Sequence, residues 1–212
     1  DNYQTLAQIT GSTIEAYDSV DVYALTGDLN DDTDTYVPDQ SESDLSDSSK
    51  TRYNIRSLAI AGGAQVGNAP LTASAQGAFV STKTRIATIA LVTDSANILQ
   101  ASGHASDLTV QAINQITAHT DSGGVSAAIT FSGSVGIAFG GAVNQYNSFN
   151  RTEALVDGST VNASNATVSS RLAPFIENIA FGVAIAGSTS FAVGDSGADV
   201  HLNQYDSANA GV

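Results

Sequence analysis

The densest group of chemically capable side chains begins at Asp28 and reads Asp-Leu-Asn-Asp-Asp-Thr-Asp-Thr-Tyr-Val-Pro-Asp, ending at Asp39. Oxygen donors fall at positions 1, 3, 5 and 7 of a twelve-residue loop (Asp28, Asn30, Asp32 and Asp34), and Asp39 closes it at position 12. That spacing can wrap hard oxygens around one calcium ion. Thr33 stands where a glycine is wanted for the turn, and Asp39 is one methylene shorter than the usual bidentate Glu. The competing reading is a solvated acidic loop. Asp28 to Asp47 holds 8 of the 21 acidic residues, with no Lys or Arg among them.

A second candidate chemistry is polysaccharide cleavage, which needs carboxylates for proton transfer and often a cation to hold a uronate. Arg151, Glu153 and Asp157 lie at alternating positions of one predicted strand and so can share a face. Lys83 and Arg85 fall in what reads as the matching stretch of the preceding repeat. The alternative is a ladder of surface charges. His104, His119 and His201 have no fixed metal spacing and read as surface or turn residues. Asn150, Asn162 and Asn165 fit the glycosylation acceptor triplet, a pattern that arises by chance in an Asn/Ser/Thr-rich chain. The stretch from Thr82 to Thr93 could form a flat surface threonine ladder, although Lys83 and Arg85 interrupt it.

Composition limits the partners. The 212 residues carry 7 Lys+Arg against 21 Asp+Glu, a formal charge of −14. Nucleic acid and anionic membrane surfaces call for clustered positive charge instead. There is no Cys, which excludes disulfides and thiol chemistry. The longest apolar run, Val135 to Val143, is too short to span a bilayer as a helix. Residue 1 is Asp, as expected of a processed or excised piece.

The elements that must position these groups read as strands. Lys, Arg and Leu, which clothe amphipathic helices, are scarce. Beta-branched residues interleaved with small polar ones suit pleated surfaces. Three segments repeat: Ser12–Leu25, Ser95–Ile113 and Ser159–Leu172, anchored by Ile14, Ile98 and Val161. Each returns to alternating aliphatic positions, Val20 and Val22, Leu108 and Val110, then Val168. Ala/Gly-rich units lie between them at Ser57–Thr82, Val125–Tyr146 and Phe181–Tyr205, and Val143–Tyr146 nearly matches Leu202–Tyr205. Ile98 and Val161 are 63 residues apart, while Ile14 and Ile98 are 84 apart, the excess being the acidic stretch 28–50. The expectation is a single all-β domain over 1–212, a parallel β-helix of about three roughly 60-residue repeats with an acidic loop insertion at 28–50. Each repeat is expected to divide into three coils of about 20 residues. A β-sandwich is the alternative fold.

The run from Asn150 to Ser170 resembles the repeat of large bacterial surface proteins of the filamentous-haemagglutinin and leukotoxin-like adhesin type. There a Ser-Thr-Val-centred segment, seen here as Gly158-Ser-Thr-Val161, alternates with an Ala/Gly-rich one. The resemblance implies a right-handed parallel β-helix, secretion or surface display, and adhesion or scaffolding. It implies no catalytic residues, and the acidic insertion lies outside it. The expected function is a structural and adhesive extracellular rod or filament segment. Its expected partners are further copies or adjoining repeats end to end, and cell-surface glycans or matrix. A carbohydrate-active β-helix enzyme and a calcium-dependent binding module are the alternatives.

Overall fold

The computed structural model describes residues 3–27, 55–131 and 135–212. Its strands are β1 (Tyr3–Thr10), β2 (Thr13–Ala16), β3 (Ser19–Thr26), β4 (Ile55–Gly67), β5 (Leu71–Thr84), β6 (Ile86–Thr93), β7 (Asn97–Gln100) and β8 (Asp107–Asn114). They continue as β9 (Thr117–Thr130), β10 (Val135–Ser148), β11 (Arg151–Val156), β12 (Thr160–Val161), β13 (Asn165–Leu172), β14 (Phe175–Gly187), β15 (Phe191–Gln204) and β16 (Ser207–Gly211). Every strand pairs in parallel with its counterpart in the neighbouring coil. Five columns result: A (β1-β6-β11-β16), B (β2-β7-β12), C (β3-β8-β13), D (β4-β9-β14) and E (β5-β10-β15). This is a parallel β-solenoid, and the sandwich alternative is excluded.

The sequence anchors stack as expected. Ile14, Ile98 and Val161 are direct neighbours in column B, and Val22, Val110 and Val168 in column C. The predicted division of each repeat into three coils of about 20 residues does not occur. One whole repeat makes one coil of five strands, because the strands of columns D and E run to 13 or 14 residues. The apparent match of Val143–Tyr146 with Leu202–Tyr205 is also out of register by three residues, since Tyr146 pairs with Leu202.

Columns A and C pack across from each other, with B closing the end between them. Their inward residues form the aliphatic core, including Val22, Val92, Ile98, Leu108, Val110 and Val156. One backbone device recurs where column A turns into column B. Gly11 and Gly158 hold positive φ there in two coils, and Asp94 and Ser95 do so in the coil between. Glycine takes that region without strain, and a short polar residue tolerates it. The Thr10 hydroxyl donates to the Asp94 carboxylate at 2.9 Å across this corner.

Columns D and E face each other with a different filling. In the middle coil their inward side chains are Gly, Ala, Ser, Thr and Asn, with Tyr146 near one end, in place of large aliphatics. A Cβ added to Gly124 would overlap the Gly141 carbonyl oxygen, and one on Gly140 would overlap that of Val183. A Cβ on Gly136 would come within 2.8 Å of the Gly187 carbonyl oxygen. The two sheets thus meet backbone against backbone, closer than the roughly 10 Å spacing of ordinary sheet packing. Polar side chains stitch the gap. Ser126 Oγ bonds Ser74 Oγ at 2.9 Å, and Asn144 Nδ2 donates to the carbonyls of Thr120 (2.6 Å) and Ile179 (3.0 Å) on two successive coils of column D.

Candidate functional site

The parallel register builds every surface cluster from residues about one repeat apart, so sites form as vertical columns rather than from sequence neighbours. On the outer face of column D, Arg56, His119 and Glu177 occupy one column. His119 Nδ1 lies 2.9 Å from Glu177 Oε2, and Nε2 lies 2.7 Å from Asp121 Oδ2. The imidazole thus bridges two carboxylates from adjacent coils. Asp121 is two residues from His119 on the same strand, whereas Glu177 is 58 residues away and no local motif links them.

A second cluster stands where column E turns into column A. Phe149 and Tyr205 stack with ring centroids 5.0 Å apart and planes within 13°. Above Phe149 sit the Lys83 ammonium at 5.1 Å and the Arg85 guanidinium at 5.9 Å from the ring centroid. Such placement of cations over a ring is attractive through the ring quadrupole. Beneath this corner the Asp206 carboxylate accepts from Ser148 Oγ at 2.6 Å and from the Asn150 amide at 2.7 Å. Tyr146, fully buried beside it, donates its hydroxyl to Thr84 Oγ1 at 3.3 Å. Burial pushes its phenol pKa above the ordinary value, with the nearby Asp206 charge adding to the effect. A cavity of about 480 Å³ opens at the first-coil side of the corner, lined in part by Tyr3, Thr82, Lys83, Arg85, Gln115 and Ile116.

The predicted calcium ligands Asp28, Asn30, Asp32, Asp34 and Asp39 lie outside the described residues. Arg151 and Glu153 share the outer face of β11 and form an ion pair, whereas Asp157 lies beyond the end of that strand. Lys83 and Arg85 do not match them in register. Ala87 is the residue beside Arg151, and Lys83 pairs with Asn147 one column earlier. Of the groups read as cleavage chemistry, Arg151 and Glu153 thus stay together in column A, while Lys83 lies in column E and Arg85 between the two strands. His104 is exposed in the turn between β7 and β8, with its ring 5.0 Å from that of Tyr17. His201 is exposed and pairs with Asp199 at 2.8 Å. Thr82, Thr84 and Thr88 point inward and are buried, so they make no surface ladder, and Asn150 is buried as well.

The outer faces of columns D and E carry large exposed apolar side chains as well as charged ones. Leu58, Ile60, Val66 and Ile185 are more than half exposed on D, as are Leu71, Phe79 and Phe191 on E. At the last coil the interior itself is open. Val200 and Leu202 are 43% and 47% exposed, although their register partners Asn144 and Tyr146 are completely buried. Among the described residues no helix is long and apolar enough to cross a membrane. No family model, curated protein or solved structure matches the chain.

Proposed function

We propose that this chain is a structural and adhesive rod segment, secreted or displayed at a cell surface, that lengthens by adding coil upon coil. The observation that carries the reading is the parallel register that runs strand on strand through every column. Val200 and Leu202 face inward and are half exposed, so a further row in that register would bury them. Parallel strand edges left unpaired favour such addition, because each new row satisfies a full set of backbone groups. The exposed apolar faces of columns D and E support the adhesive part of the reading. The added row comes from adjoining repeats or from another copy.

Electron microscopy and sedimentation of the purified chain over a wide concentration range test this. Rods of constant width that lengthen with concentration are expected. Compact particles of one molecule at every concentration would overturn self-stacking.

A further inference from the structure

Charge is distributed unevenly along the axis of the D and E columns. The first-coil segment, residues 55–85, contains Arg56, Lys83 and Arg85 and no Asp or Glu. The last-coil segment, residues 175–211, contains Glu177, Asp195, Asp199 and Asp206 and no Lys or Arg. Among the described residues of columns D and E the first strands are therefore cationic and the last anionic, while the acidic stretch 28–50 precedes β4 in the sequence. From these opposed edges we infer that two copies join head to tail, with β14 and β15 of one copy pairing in parallel with β4 and β5 of the next. This deepens the rod reading and rests on it.

Extending the observed register across the junction shows what would meet. Glu177 would come beside Arg56 of the next copy, since both lie in the His119 column. Asn203 would come beside Lys83, through the column they share with Asn147. The Asn203 Nδ2 to Asn147 Oδ1 bond, 3.1 Å, shows that this column already bonds between coils. At the corner, Tyr205 stacks on Phe149 with one face, and its other face points along the axis toward the incoming coil. The next group in that column is the Lys83 and Arg85 pair, which already packs on Phe149 within one molecule. The junction would repeat that cation-on-ring contact. On the outer face of D, Ile179 and Phe181 would continue onto Leu58 and Ile60. Head-to-head or tail-to-tail joining would instead set like charges together and turn parallel pairing antiparallel.

Column A adds a condition. Among the described residues it has four strands where the other columns have three, so β16 stands at the level that β1 of the next copy would take. The incoming β1 must yield its place on β6 to β16. The exchange keeps an inward alanine at one position, where Ala7 and Ala210 share a column with Ala90 and Ala154, and puts Ala208 in place of Thr5 at the next.

The absence of native Cys makes a direct test simple. Ser81 and His201 share a column, separated by Gln145, so they lie two strand spacings apart in one molecule, roughly 10 Å. That is too far for a disulfide within a copy, whereas adjacent strands at a head-to-tail junction are close enough. The Ser81→Cys and His201→Cys variants, mixed at low salt under mild oxidation, should give disulfide-linked dimers, while either alone should give few. A Lys83→Glu/Arg85→Glu variant should associate at least tenfold more weakly than wild type. Reversing the facing pair, with Arg56→Glu mixed with Glu177→Arg, should give tighter association than either variant alone. If wild type forms rods but the cysteine mixture cross-links no better than each variant alone, head-to-tail joining is wrong and the rod reading stands. If wild type never assembles, self-stacking and head-to-tail joining both fall.

Discussion

Columns A to C and columns D and E belong to the same coils, yet they enclose different material. The first group surrounds Val22, Val92, Ile98, Leu108 and Val110, a core held by aliphatic area removed from water. The second surrounds Gly124, Gly140, Ser126, Ser74 and Asn144, where little aliphatic area is available. Its cohesion comes from backbone packed on backbone and from hydrogen bonds that span the gap. The difference shows that a solenoid coil need not have one uniform interior. Where side chains shrink to glycine, two long strands can flatten into a wing, and their large apolar residues are then left facing outward.

The comparison can be broken most severely at the wing. Gly124→Ala places a methyl on the Gly141 carbonyl and should cost about 3 kcal/mol or more. Gly62→Ala, in the same column but with open space around the added atom, should stay within about 0.5 kcal/mol. Urea unfolding of both variants separates a packing requirement from a general effect of glycine. In the other half, Leu108→Ala should cost about 2–5 kcal/mol, the range for a fully buried leucine, and calorimetry would read it as a lower Tm.

Smaller effects sharpen the contrast. Ser126→Ala removes the bond to Ser74 and should cost about 1 kcal/mol by denaturant titration. Tyr146 adds a pH signature. Because its pKa is raised in the folded state, the stability it contributes is complete below about pH 10, where the unfolded phenol begins to ionise. That stability is lost as pH rises further toward the folded value. The Tyr146→Phe variant should therefore lose less stability than wild type between neutral pH and pH 11, as measured by unfolding midpoints.

How far the sequence reveals this fold depends on the column. The B and C anchors are legible because short strands with β-branched residues recur in a fixed order, and Ile14, Ile98 and Val161 do stack. The coil length is not legible, because Ala/Gly runs alternate too weakly to show where a 14-residue strand begins or ends. Sequence likeness between coils also falls out of register where corners shorten. The connection from Gln100 to Asp107 in the second coil becomes the shorter one from Val161 to Asn165 in the third. The connection from Thr130 to Val135 likewise shortens to that from Gly187 to Phe191. Those changes move Tyr146 onto Leu202 and carry Tyr205 onto the Phe149 ring. The His119, Asp121 and Glu177 cluster is hidden for the same reason, since only the register of the coils brings Glu177 to the imidazole.

The central claim is that columns D and E touch through their glycines within a coil one repeat long. Nuclear Overhauser contacts between the α-hydrogens of Gly124 and those of Gly140 and Gly141 test it most directly. The account predicts strong cross-peaks between these residues. Their absence, with contacts instead between side chains across a gap of about 10 Å, would contradict it.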